Sequence, residues 1–222
     1  MADTRDMYMV HTAFRREFGL MPALVRGVAA GDVERVGIVA DHITLVADVL
    51  HHHHHTEDTH LWPRLLDRAA AELAPVVHTM ESQHEGIEKA GAEVSAGVDV
   101  WCTNADPRDG AALADALDRF LPMLTEHLEL EEQRVLAIIE QHITAAEWAA
   151  MVQDGASGIS PELMPVIFGM MMYEGDPEVV QDTIEHMPAE IQPVIGQMAT
   201  TAFAEHSQRV HGTSTPPRVT RA

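Results

Sequence analysis

Two short stretches of this chain set imidazole and carboxylate one helical turn apart. The first is HHHHHTEDTHLWP, from His51 to Pro63, and the second is HLELEE, from His127 to Glu132. On a helix, residues i and i+4 share a face, so His127 and Glu131 can reach one metal ion together. Nitrogen and oxygen donors of this kind suit iron, manganese or zinc. In the first stretch two pairs compete, His53 with Glu57 and His54 with Asp58. The apolar phase chooses between them. Counting back from Glu131 along a helical seam reaches Leu124, Phe120, Leu117 and Leu113. The same steps from Glu57 reach Leu50, Val46, Ile43 and Val39, again all core-type. From Asp58 they reach His51, Ala47, Thr44 and Ala40, a much poorer seam. The buried pair is read as His53 and Glu57, with the other histidines of the run pointing sideways or out.

Two further histidines fall on apolar seams. His11 sits in Met7, His11, Phe14, Phe18, Met21, and His84 in Val77, Met80, His84, Ile87, Gly91, Val94. The alternating threes and fours predict bundle helices. Alone, each would be read as a core histidine. Beside two His-x-x-x-Glu pairs each is read as a ligand, because a buried imidazole needs a partner. The candidate metal ligands are therefore His11, His53, Glu57, His84, His127 and Glu131. His42 lies on the side of the helix that carries His53 and fits either a place behind the site or the helix surface. Tyr8, three residues before His11, could approach the metals but reads better as a core tyrosine. His206 and His211 have no carboxylate at i+4 and read as surface residues. Asp58 and Glu132 each follow a ligand acid by one position and can hold a neighbouring histidine.

These residues need helices to carry them. A first helix starts at Asp3 or Thr4, with a kink at Pro22 and a break at Gly31-Asp32. A second carries the histidine run and ends between Arg68 and Leu73, with Pro63 predicting a kink. A third covers about 75–98, and after the turn-rich loop 104–110 a fourth runs to about Gln141. Each half of this pattern has one seam histidine followed by one His-x-x-x-Glu at nearly the same interval, a weak pseudo-repeat. The reading is all-α: an antiparallel four-helix bundle over residues 1–142, with inward ligands from all four helices. From Thr144 the elements shorten. Thr144 and Glu147 form a capping box, and Ser160-Pro161-Glu162 and Asp176-Pro177-Glu178 read as helix starts. A last helix covers about 188–210 and closes at Gly212. Residues 143–212 are expected as an extension packed on the bundle through Leu163, Val166, Ile167, Ile184, Ile191, Val194 and Ile195. The tail 213–222, TSTPPRVTRA, is expected to be disordered.

The 222 residues are 46% hydrophobic, enough for a sizeable core, and hold no apolar run long enough to cross a membrane. The N-terminal residues include acids and do not read as a secretory signal. The single cysteine, Cys102, reads as a loop residue, excludes an intramolecular disulfide and fits a reducing cytoplasm. A formal net charge of −21, with Lys89 the one lysine, argues against nucleic acid and anionic membranes as partners.

The pattern His11, His53/Glu57, His84, His127/Glu131 resembles the hemerythrin-like family, the HHE cation-binding domains. The resemblance covers about residues 5–142, and Glu57-Asp58 followed by Leu61-Trp62-Pro63 extends it. It implies a centre of two non-haem iron ions, oxo- or hydroxo-bridged, with Glu57 and Glu131 as bridging carboxylates. Residues 143–222 resemble extensions on some actinobacterial relatives, which assigns them no chemistry. One departure stands out. Family members that carry oxygen have a fifth histidine one turn before the one matching His84, and here that position is Met80. His78 is six residues from His84, on another face. The resemblance therefore points to relatives that handle peroxide, nitric oxide or iron. A thioether is a poor ligand for ferric iron, so Met80 is expected to pack and to leave one iron an extra exchangeable position.

The function expected is binding or turnover of a small oxidant (O2, H2O2 or NO) at a His/Glu-ligated di-iron centre. The alternatives are an oxygen or iron sensor without turnover, and passive metal storage by the histidine run. Partners follow from that: a small diatomic or peroxide ligand, with a homodimer or an electron donor left open.

Overall fold

The computed structural model describes residues 1–219, the side chains of 69–72 excepted. The helices are α1 (Arg5–Arg26), α2 (Val33–Thr56), a π turn (Glu57–Leu61), α3 (Trp62–Asn104), α4 (Pro107–Arg134), α5 (Leu136–His142), α6 (Ala145–Ser157), α7 (Met164–Met172), α8 (Pro177–Glu185) and α9 (Gln192–His211). Among the described residues there is no strand. The fold is all-α, a helical bundle followed by extra C-terminal helices.

Contacts group the chain into two units. The first is Met1–Asp3 with Phe18–Gly158, and the second is Thr4–Glu17 with the chain from Ile159 on. This differs from a division at residue 142 in two ways. The start of α1 groups with the C-terminal helices, and α6 groups with the bundle. The reason for the second is visible in side chains. Arg68 on α3 forms an ion pair with Glu147, the acid of α6's Thr144 capping box. His60 in the π turn meets Asp154 on α6 at 2.8 Å.

In the first unit the seams read from sequence face inward. Val39, Ile43, Val46 and Leu50 of α2 are buried, as are Val77, Met80, Ile87 and Val94 of α3 and Leu113, Leu117, Phe120 and Leu124 of α4. Phe18 packs on Phe120 with ring centroids 5.0 Å apart. Asp32 caps α2 by accepting from the Arg35 N–H. Gly31 supplies the positive φ of +76° that the turn before it requires, and its N–H reaches the Ala105 carbonyl. Cys102, expected in a loop, lies exposed on the last turn of α3.

The kink expected at Pro63 takes the form of the π turn. Proline has no N–H and its ring crowds the carbonyl four residues back. The chain absorbs this by widening one turn, so that the Trp62 N–H bonds the Glu57 carbonyl, five residues back. The Arg64 guanidinium then donates to the His60 carbonyl. α3 cannot be one straight helix. A straight helix would hold Asp58 and His84 about 39 Å apart at 1.5 Å per residue. Their side chains are 2.7 Å apart, so the chain reverses direction between them. That reversal brings the π turn beside the His84 stretch and beside α4.

The second unit is built around α7 and α9. Phe168, Ile195 and Ala199 form its apolar centre, with Met172, Ile184 and Met187 against them. Gly169 lets the two helices touch, because a Cβ there would stand 2.3 Å from the Ala199 carbonyl oxygen. Arg16 is buried and fully engaged. Its Nε donates to Glu17 at 2.8 Å, Nη1 to Glu174 at 2.8 Å and Nη2 to the Met170 carbonyl at 2.7 Å. Tyr173 and Phe203 lie under the guanidinium at 5.2 and 5.3 Å. The chain from Thr213, expected as disordered, is ordered here to Val219. The Tyr173 hydroxyl donates to the Pro216 carbonyl, and the Val219 N–H donates to Glu174. Residues 220–222 of that tail lie outside the described residues.

Several local expectations are corrected. The helix predicted at Ser160-Pro161 begins at Met164 instead, with Ser160 bonding the Glu162 side chain in a turn. Leu163, Ile191 and Val194, expected to bury, are exposed. Tyr8, expected in the core, is exposed. His211, expected at the surface, has its side chain buried 3.3 Å from Glu17.

Candidate metal centre

Five of the six residues singled out from the sequence converge inside the first unit. Glu57, on the π turn, is at the middle. Its Oε1 lies 3.3 Å from His53 Nε2, and its Oε2 lies 3.4 Å from His84 Nε2. One carboxylate thus faces two imidazoles, one through each oxygen. His84 Nε2 and His127 Nε2 stand 3.2 Å apart. Glu131 Oε2 is 3.9 Å from His127 Nε2, and His53 and Glu131 offer donor atoms within 4.8 Å of each other. Glu57, Glu131 and His127 are almost completely buried. The sixth residue, His11, is fully buried on α1, in the part of that helix that groups with the second unit.

The structure corrects the reading of the histidine run. His54, expected to point sideways or out, is buried, whereas the His53 side chain is 13% exposed. His54 stacks on His84, with centroids 4.1 Å apart and planes 15° from parallel, and meets His127 edge-on at 4.9 Å. It forms one group with Glu57, His84 and His127, whose donor atoms all lie within 4.8 Å of one another. The reason is helical geometry. A seam residue has neighbours at both i−3 and i−4. Counting by four from Glu57 finds His53 and passes over His54. His51 and His55 are exposed, as expected. His42 is fully buried, so the helix-surface alternative does not hold for it.

The ring nitrogens turned away from the group are held too. Asp58 Oδ1 accepts from His84 Nδ1 at 2.7 Å and from Trp62 Nε1 at 2.9 Å. Gln83 Oε1 accepts from His127 Nδ1 at 3.2 Å. These bonds turn each Nδ1 outward, so that His84 Nε2 and His127 Nε2 face one another and His84 Nε2 faces Glu57. This is the outer support that metal-ligating histidines have, fixing tautomer and ring plane. Asp58 was foreseen as such a partner. Gln83 was not, and its only sequence signal is adjacency to His84 on the helix.

Burial works against a charged His84, but the hydrogen bonds it donates to Asp58 and Glu57 and their negative charge outweigh it. They hold the imidazolium up to about 9. Without a metal, this favours a proton on His84 Nε2, which faces Glu57. A metal ion binding there would displace it.

The donor set fits a transition metal. Bonds of about 2.1 Å place neighbouring donors about 3.0 Å apart and opposite donors about 4.2 Å apart. The observed 3.2 and 3.4 Å separations are close to the first, and the 4.8 Å span needs only a small contraction. Met80 is fully buried, as expected.

A family comparison agrees with this geometry. The model for the hemerythrin HHE cation binding domain matches residues 3–139. The chain belongs to that family. No curated protein and no solved structure gives a significant match. The family's domain binds a cation, and the clustered histidines and glutamates supply a site for one.

Proposed function

We propose that this chain is a non-haem di-iron protein that binds or turns over a small oxidant, O2, H2O2 or NO. The observation that carries the proposal is the Glu57 carboxylate, buried with one oxygen against His53 and the other against His84. A carboxylate so placed can span two metal ions, with His84 and His127 on one side and His53 and Glu131 on the other. His11 enters the proposal from the sequence pattern alone. Bound iron would supply redox and Lewis-acid chemistry there.

The chain's own residues supply the rest. Asp58 and Gln83 orient His84 and His127. Leu61, Trp62 and Met80, all fully buried, help exclude water. The second carboxylate, Glu131, adds negative charge that favours the oxidised metal. Among the described residues no helix is long and apolar enough to cross a membrane, and a cytoplasmic setting belongs to the proposal. A small oxidant as ligand fits a site packed this tightly, as does an electron donor acting at its surface.

The test is anaerobic reconstitution with ferrous iron, followed by stopped-flow reaction with O2, with H2O2 and with NO. Oxidant decay that scales with bound iron and vanishes in Glu57→Gln supports turnover. An iron-loaded protein inert to all three oxidants would remove the proposal.

A further inference from the structure

We infer that His54 is a metal ligand, the third imidazole of the half of the centre built by His84, His127 and one oxygen of Glu57. This rests on the metal centre proposed above and adds a donor that the two His-x-x-x-Glu pairs do not contain.

Three observations carry it. His54 is buried, while His51 and His55 of the same run are exposed, so the helix has selected position 54 for the interior. Its ring lies parallel on His84 and edge-on to His127, at 4.1 and 4.9 Å between centroids. Its donor nitrogen joins the His84, His127 and Glu57 donors within the 4.8 Å span. A side chain needed only for packing could be Phe or Leu, and neither would place a lone pair beside the His84, His127 and Glu57 donors. An imidazole buried against two imidazoles and a carboxylate is instead what a nitrogen-rich cation site requires.

The inference changes the chemistry expected from Met80. One turn before His84, α3 offers a thioether, a soft and weak donor for ferric iron. The third imidazole comes instead from α2, at Glu57−3. The extra exchangeable position predicted from Met80 is then filled. The metal on the His84 side becomes the richer in nitrogen and the metal on the His53 side the more open, so small molecules should bind on the His53 side.

The experiment compares wild type, His54→Phe, His54→Asn and His84→Ala after anaerobic loading with Fe(II) or Co(II) and dialysis. Metal per chain and the metal-induced rise in melting temperature are read, with the metal-free melting temperature as the folding control. His54→Phe keeps a stacking ring and removes the donor. It should lower metal content from about two to about one per chain. It should also weaken affinity by more than the 10–100-fold that loss of an outer hydrogen-bond partner costs. If the larger ring does not fold, His54→Asn carries the same measurement. Wild-type metal content and affinity in the folded His54 variants, with loss in His84→Ala, would overturn the role of His54 and leave the centre intact. A wild type that binds neither metal would overturn both.

Discussion

The two units each bury a polar cluster, and the clusters differ in where their positive charge comes from. In the second unit Arg16 brings a permanent cation. Glu17, Glu174 and the Met170 carbonyl satisfy its donors, and Tyr173 and Phe203 flank its plane. In the first unit the cluster is made of imidazoles and carboxylates: His53, His54, Glu57, His84, His127 and Glu131. Its positive charge must come from a proton, as on His84, or from a metal ion. The Arg16 cluster is complete as built and acts as structure. The other is a donor set whose charge balance changes with what it binds. A buried polar cluster becomes a candidate for function when its members share one sign of demand.

Breaking Arg16 gives the largest effect. Arg16→Met leaves two buried carboxylates without their cation and should cost about 3–5 kcal/mol. The loss, read by urea denaturation, should be the same with and without metal. A loss that appears only in the metal-loaded protein would erase the distinction between the clusters.

The metal cluster should behave in the opposite way. Saturating metal, at about 1,000 times its dissociation constant, should stabilise the protein by about 4 kcal/mol. Chelation should remove that gain. Glu57→Gln removes an acid that faces the protonated His84, so the metal-free variant should be less stable than wild type near neutral pH, by about 1–3 kcal/mol. The same variant should gain almost nothing from metal. Calorimetry of the four states checks both statements, and a metal-free Glu57→Gln that unfolds outright would refute the second.

What was legible in the sequence follows from the range of the interactions. Seams repeat every three or four residues, so the inward faces of α2, α3 and α4 could be read directly. The Asp32 cap, the Thr144–Glu147 capping box and the Asp176 cap are equally local, and all three form. Glu57 and Glu131 were found because each lies on such a seam. His54 was missed because one seam residue has two upstream neighbours, and periodicity alone does not say which faces a partner. Gln83 became visible only when α3 and α4 lay side by side, 44 residues apart in sequence at this contact. The Glu17–His211 contact joins residues 194 positions apart, beyond any local pattern. The placement of the start of α1 with the C-terminal helices is equally remote from local sequence.

Smaller effects sharpen the comparison. Asp58→Asn keeps the size of the side chain but removes the charge that holds the His84 proton on Nδ1. Metal affinity should fall about 10–100-fold while the metal-free melting temperature changes little. A competition assay with a chelator of known affinity reads this. Unchanged affinity would mean that Asp58 serves Trp62 and not the centre.

The smallest effect tests an ion pair outside both clusters. Arg68, with the Thr144 cap, holds the Glu147 carboxyl down at about 2, below its ordinary 4.5. A carboxylate depressed on folding contributes stability that is present above pH 4.5 and lost as pH falls toward 2. Glu147→Gln should therefore match wild type near pH 2 and be slightly less stable near pH 6. Equal stabilities at both pH values would show that the exposed Arg68–Glu147 pair contributes nothing, as many surface pairs do.

The central claim is that Glu57 joins two metal ions inside the first unit. Iron per chain after anaerobic reconstitution, measured for wild type beside Glu57→Gln, tests it most directly. The account predicts about two irons in wild type and about one or none in the variant. A variant that keeps the full wild-type iron content, or a wild type that binds none, would contradict it.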